Sequence, residues 1–221
     1  ACRGLSFMQQ LTQKLKTGSI CITEVPLPHP KDGYLLVRNH YSLISAGTEG
    51  STVKTARKGY IGKAKERPEQ VKQVVRTFKT QGPVQTYRAV MKKLDSYSPL
   101  GYSCAGEVIE AGSDARGLAI GDFVACGGLT ASHAEIVSAP VNLCVKLEPD
   151  ADLKQAAYNT LGAIAMQGVR QAAVRLGETC GVIGLGLIGQ LTALLLKASG
   201  VRVIGIDVNP AMVKIAQTYS T

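Results

Sequence analysis

Three glycines and one acid are the residues whose types and spacing most plainly specify chemistry here. In residues 177–207, GETCGVIGLGLIGQLTALLLKASGVRVIGID, Gly184, Gly186 and Gly189 follow the G-x-G-x-x-G spacing, and Asp207 stands 18 residues beyond the last of them. An apolar strand, a glycine turn, an apolar helix and a second strand ending on an acid predict a dinucleotide site. Gly184 permits the tight turn, Gly186 lets the backbone approach a pyrophosphate because it has no Cβ, and Gly189 lets the helix pack closely on the strand. The start of that helix, with Leu187 and Ile188 in its first turn, offers unpaired N–H groups and the positive end of its dipole to phosphates. A carboxylate at Asp207 can accept hydrogen bonds from both ribose hydroxyls and repels a 2′-phosphate, so the expected cofactor is NAD. A methyltransferase built on a similar strand, glycine, helix and acid plan is the competing reading.

The elements that must position this turn can be read on either side of it. Residues 19–46 predict two antiparallel strands, SICITEVPLP and YLLVRNHYSLIS, joined by a turn marked by His29, Pro30 and Gly33. From about residue 50 to 97 the apolar spacing becomes helical, through Val71, Val74, Val75 and Phe78, with a break at Gly82 and Pro83. Strand signals resume over Ser103–Ala111, Gly121–Ala125, Ala134–Ser138 and LCVKLEP. After Pro149, Asp150 or Asp152 can cap one helix running through Ala156, Leu161, Ile164, Ala165 and Val169. The chain thus reads as α/β, a β-rich unit over 8–150 with a helical insertion, then the first half of a doubly wound unit over 151–221. The strands of that second unit read as buried on both faces, so a half-built sheet is expected to expose apolar surface and an unpaired edge. A fragment of a longer polypeptide is expected, and residues 1–7 read as an extension preceding the fold.

Composition narrows the partners. With 45% apolar residues the chain is of ordinary globular make-up, and its apolar stretches are interrupted well before the roughly 20 residues of a membrane span. Six cysteines at 2, 21, 104, 126, 144 and 180 form no regular framework, which suits structural thiols in a reducing cytoplasm. The net charge of +9 is concentrated between Thr52 and Lys93, where twelve Lys or Arg face two acids, Glu66 and Glu69. Only Tyr60, Phe78 and Tyr87 are aromatic there, so solvated helix faces are favoured over nucleic-acid binding. If the substrate is a polyanion, Lys63, Lys65 and Arg67 would raise its local concentration.

These residues together resemble the medium-chain dehydrogenase/reductase superfamily, in which a GroES-like catalytic domain precedes a Rossmann domain. The resemblance runs from about Met8 to the end. It rests on GYSCAGEVIEAGSDARGLAIGDFVA, SHAEIVSAP, VIGLGLIG, and SAGTE at the place of a CGTD motif. MQQLTQKLKTGSICITEVPLPHP, YSLISAGTE and the basic insertion are similar to bacterial bi-domain oxidoreductases of polysaccharide biosynthesis. The resemblance implies an NAD-dependent oxidoreductase of alcohols or carbonyls. Its implied partners are a small-molecule substrate, a second copy of the chain and a downstream dehydrogenase-like domain, with neither nucleic acid nor membrane.

The departures from the family pattern bear on mechanism. At the positions of three zinc ligands this chain has Ala46, Tyr102 and, near the third, Leu161, with Ser103 beside Tyr102 in place of a glutamate. None ligates zinc well, so no metal is expected. Cys104, Cys126 and Cys144 are too scattered in the chain to rebuild a structural zinc lobe, and His133 alone reads as a structural residue. A zinc-free site must polarise the reacting oxygen with hydrogen-bond donors. Thr48, at the threonine of the CGTD-like motif, and Tyr102 are the candidates implied by the resemblance, with Ser45 and Glu49 behind them. The alternative is a module whose catalytic site has decayed and which binds a dinucleotide or docks a partner.

Overall fold

The computed structural model describes residues 7–57 and 68–219. Lys63, Lys65, Arg67 and Tyr60 of the basic insertion, and residues 1–6, lie outside the described residues.

Two antiparallel sheets form the first part. In one, β1 (Phe7–Lys14) lies between β2 (Ile20–Pro26) and β4 (Tyr97–Pro99). In the other, the order is β7 (Ile136–Pro140), β3 (Tyr34–Ser42), β5 (Ser103–Ala111), β6 (Phe123–Gly127), β8 (Cys144–Lys146). A bridge between Gln10 and Ala134 joins the two sheets. The expected pairing of the strands on either side of Gly33 is corrected: β2 pairs with β1, whereas β3 pairs with β5 and β7. β1 itself is not legible in the sequence, because two of its buried side chains, on opposite faces of the strand, are polar, Thr12 at 3% and Gln13 at 0% exposure. Met8, Leu35, Val37, Val108, Val124 and Val137 are among the apolar residues that fill the core between these strands.

Topology brings three of the cysteines, far apart in sequence, side by side. Cys104 is paired with Cys126 across β5 and β6, and Cys126 with Cys144 across β6 and β8, so three thiols form one cross-strand row. The Cys126 and Cys144 sulfurs are 3.6 Å apart. Hydrogen bonding to Cys104 and Cys144, together with burial, pushes the Cys126 thiol far up, while the bond from Cys126 lowers Cys144.

Between β3 and β4 stand α1 (Thr48–Arg57), α2 (Pro68–Gln81) and α3 (Pro83–Asp95), the last opened by proline at its N-terminus after Gly82. Val71, Val74, Val75 and Phe78 do share a helix, yet all four are exposed. No described helix is long and apolar enough to cross a membrane.

The helix expected after Pro149 is two helices. Asp152 caps α4 (Leu153–Ala156) by accepting from Lys154 N at 2.8 Å and Gln155 N at 3.3 Å. The chain then breaks at Ala157 and Tyr158 before α5 (Asn159–Ala172). A parallel pair, β9 (Thr179–Ile183) and β10 (Arg202–Ile206), flanks α6 (Leu187–Ala198), and α7 (Pro210–Gln217) follows. Val182, Leu185, Leu196 and Val201 form their core, with Val169 and Val174 packed against it. One face of this pair is bare, with Ile183 at 86%, Ile204 at 54% and Ile206 at 52% exposure.

Candidate functional site

The glycine turn is built as its spacing requires. Gly184 follows β9 with φ +93° and donates its N–H to Ile206 O at 2.7 Å, which closes the turn onto β10. A side chain at that φ is strained, so glycine is needed for backbone reasons. Leu185 points inward at 1% exposure and lies against Gly205, where a Cβ would come within 3.0 Å of the Leu185 Cδ2. At Gly189 a Cβ would collide with the carbonyl of Gly184, so this glycine sets the approach of α6 to β9. At Gly186 a Cβ would meet nothing within 4 Å. The turn therefore does not need a small residue there for its own packing, and the free space lies beside the helix N-terminus.

The first turn of α6 presents donors outward. Gln190 N bonds back to Gly186 O at 2.9 Å, leaving the preceding N–H groups of Leu187, Ile188 and Gly189 at the open end of the helix. The Gln190 side chain donates to Leu185 O at 2.9 Å and braces the turn.

Asp207 serves this turn as well as facing solvent. Its Oδ1 accepts from Asn209 N at 2.7 Å and its Oδ2 from Leu185 N at 2.6 Å. These two backbone donors, Asn209 foremost, hold the carboxyl below the usual carboxylate value. Each oxygen keeps a lone pair for a further donor. Asn209 in turn caps α7 through Ala211 N at 3.0 Å.

A second polar cluster lies in the β-rich part. Thr48 opens α1 with its side chain exposed, and Glu49, next to it, is buried. Glu49 Oε1 accepts from Ser45 N at 2.7 Å, and Glu49 Oε2 meets His133 Nε2 at 2.9 Å. The other imidazole nitrogen, Nδ1, meets Ser42 Oγ at 2.8 Å. His133 also donates its N–H to Leu100 O at 2.8 Å, and its ring fills the space where a Cβ on Gly101 would stand, 2.8 Å from Nδ1. His133, which the sequence reads as a structural residue, is hydrogen-bonded to Ser42 and Glu49, and Glu49 to Ser45, so residues far apart in the chain form one cluster.

Tyr102 follows Gly101 and is half-buried, and its phenol makes no hydrogen bond among the described residues. Its carbonyl accepts from Gly128 N at 3.0 Å and Thr160 Oγ1 at 3.2 Å. Ser103 beside it is structural: Oγ donates to Ala157 O at 2.7 Å and accepts from Thr160 N at 3.2 Å. Asn159 Nδ2 reaches Cys104 O, Cys126 O and Ala156 O at 3.1 to 3.2 Å. These bonds tie the break between α4 and α5 to the sheet, and they explain why one continuous helix does not form there. Ser103→Ala leaves Ala157 O and Thr160 N unpaired in a site 1% exposed, and we expect a loss of about 1–3 kcal/mol. A urea midpoint unchanged from wild type would contradict that assignment.

At the three positions where the resemblance places metal ligands, Ala46 is exposed, Tyr102 is half-buried and Leu161 is 1% exposed inside the core. Among the described residues, no three His, Cys, Asp or Glu side chains converge where they could hold an ion.

No family model matches the chain. D-guloside 3-dehydrogenase of Escherichia coli strain K12 is 40% identical over 110 residues, 49% of this chain and 31% of the relative. The (R,R)-butanediol dehydrogenase of Bacillus subtilis strain 168 is 26% identical over 136 residues, 50% of this chain and 39% of the relative. The matches thus span between about a third and two fifths of these relatives' length. The solved structure of 2R,3R-butanediol dehydrogenase from Bacillus subtilis shares the fold at a TM-score of 0.69 and 18% identity, over 96% of this chain and 61% of that one. A mycobacterial structure complexed with NADPH does so at 0.69 and 18%, over 96% and 55%. These relatives are medium-chain dehydrogenases/reductases, each similar to about half of this chain, and the solved structures share its fold.

Proposed function

We propose that this chain carries the cofactor turn and part of the substrate site of an NAD(H)-dependent, zinc-independent oxidoreductase acting on an alcohol or carbonyl group. The observation that carries the reading is the pairing of open space at Gly186 with the carboxylate of Asp207 across the same turn. The residues fit a nicotinamide dinucleotide. The N–H groups of Gly186, Leu187, Ile188 and Gly189 would hold the pyrophosphate, and Asp207 the adenosine ribose. Asp207 favours NAD because a 2′-phosphate beside a carboxylate is repelled. When bound, the cofactor supplies hydride transfer, and the protein is left to orient the substrate and handle its proton.

Zinc independence is supported by side-chain chemistry: an alanine methyl and a leucine cannot donate to an ion, and a neutral phenol is a poor ligand. The polarising donors we assign are the Thr48 hydroxyl, exposed at the start of α1, and the Tyr102 phenol. Sugar derivatives are the substrate class we favour, in line with the D-guloside dehydrogenase relative. The division at residue 150 into a GroES-like and a Rossmann part, the cytoplasmic setting, the role in polysaccharide biosynthesis and the downstream dehydrogenase-like domain belong to the same proposal.

The test is turnover by the full-length protein with NAD over a panel of sugars, secondary alcohols and their ketones, with and without a strong zinc chelator. We expect NADH production that the chelator leaves unchanged. Loss of activity on chelation contradicts zinc independence. Cofactor binding with no turnover across the panel favours a decayed catalytic site.

A further inference from the structure

We propose that Glu49 and His133 form a clamp that sets the spacing between the Thr48 turn and the Gly101–Tyr102 turn, making His133 a positioning residue for both candidate donors. The inference rests on the reading of Thr48 and Tyr102 as the donors of the site. The geometry is a hub. Glu49 holds its own turn through Ser45 N at 2.7 Å and crosses to His133 Nε2 at 2.9 Å. His133 is fixed to the other turn through its own N–H to Leu100 O at 2.8 Å and through its ring, which packs on Gly101. Ser42 Oγ at Nδ1 sets the ring plane from the end of β3, and Leu11 N donates to His133 O at 2.8 Å from β1.

Thr48 and Tyr102 thus stand one residue from each end of the same bridge. They are 54 positions apart in the chain; the sheet joins the two segments only at their bases, through Leu43 N to Ser103 O at 3.0 Å, and Glu49 and His133 bridge them beyond that bond. The burial makes the pair informative. The side chains of His133 and Glu49 are 8% and 11% exposed, so both are nearly dry. A buried imidazole and carboxylate give little net stability over an apolar pair of the same volume, whereas their bond fixes one distance and one ring orientation. Donor placement is where that fixity acts, since a displacement of about 1 Å at a reacting centre lowers the rate on the order of 100-fold.

The clamp gives three variants different fates. Glu49→Ala removes the bridge. Glu49→Gln keeps an acceptor for Ser45 N and a partner for the imidazole while removing the charge. His133→Gln keeps a polar side chain but loses the ring on Gly101. The first readout needs no cofactor: amide hydrogen exchange in the full-length protein. Glu49→Ala and His133→Gln raise exchange at residues 45–50 and also at 99–102, and Glu49→Gln leaves both near wild type. Exchange that rises only at 45–50 in Glu49→Ala overturns the clamp, because the far turn is then held without it.

The second readout is kinetic. Glu49→Ala and His133→Gln lower kcat on the order of 10- to 100-fold with NADH affinity unchanged, and Glu49→Gln restores most of it. Equal loss in Glu49→Gln and Glu49→Ala also overturns the clamp, since charge and not geometry is then what matters. If the wild type shows no turnover, the reading of Thr48 and Tyr102 fails, while the exchange experiment still decides whether the two turns are coupled.

Discussion

Gly189→Ala weakens dinucleotide binding while the rest of the chain stays folded, with NADH affinity lowered on the order of 100-fold or about 2.7 kcal/mol. The added Cβ collides with the carbonyl of Gly184, which is backbone and cannot rotate away. α6 must then slide off β9, and the N–H groups of Leu187 and Ile188 move with it. Overpacking of this kind costs about 1–3 kcal/mol, which a thermal melt reads directly. Gly186→Ala is the informative contrast. Nothing lies within 4 Å of its Cβ and its φ is −66°, so stability is unchanged, yet the space reserved for the pyrophosphate is filled. Equal losses of stability in the two variants would show that Gly186 also serves packing and that the open space is not a ligand's.

Asp207→Asn is expected to change cofactor choice. NADH binding weakens on the order of tenfold as charge-assisted bonds become neutral ones. NADPH binding improves because repulsion of the 2′-phosphate is gone, and the ratio of the two affinities falls on the order of 100-fold. Paired titrations with NADH and NADPH check this, and an unchanged ratio contradicts the role given to Asp207. The same carboxylate links stability to pH. Its folded-state value is depressed by Asn209 N and Leu185 N. The stability it contributes is therefore complete above the unfolded carboxylate value and is lost as pH falls through the lower folded one. Asp207→Asn should flatten that acid limb of the melting curve and leave neutral pH behaviour otherwise similar.

What could be read from the amino acids follows the range over which each feature is encoded. The nucleotide turn is local: Gly184, Gly186 and Gly189 answer to backbone geometry within six residues, and Asp207 meets Leu185 N because a short helix returns the chain to the adjacent strand. The Ser103–Ala111 strand is likewise legible, through its own apolar run. Pairing is not local. The prolines and Gly33 between β2 and β3 look like a hairpin turn, but the two strands pair in different sheets. The row of three cysteines arises only once β5, β6 and β8 are in register. His133 and Glu49 lie 84 positions apart, so neither residue carries a local sign of the other.

The helix break at Ala157 shows how tertiary bonding overrides periodicity. Residues 153–172 have helical spacing throughout, yet Ser103 takes the Ala157 carbonyl and Asn159 reaches three others, two of them on the sheet. The bonds that interrupt the helix also fix it beside Tyr102, since Thr160 donates to the Tyr102 carbonyl. Tyr102 is thereby held through its carbonyl, and its phenol makes no hydrogen bond among the described residues.

Calorimetric titration of the full-length protein with NADH, NADPH and S-adenosylmethionine is the most direct test of the central claim. The account predicts saturable NADH binding, NADPH binding weaker by on the order of tenfold or more, and no heat from S-adenosylmethionine. Binding of S-adenosylmethionine, or no binding of either nicotinamide cofactor, would contradict it.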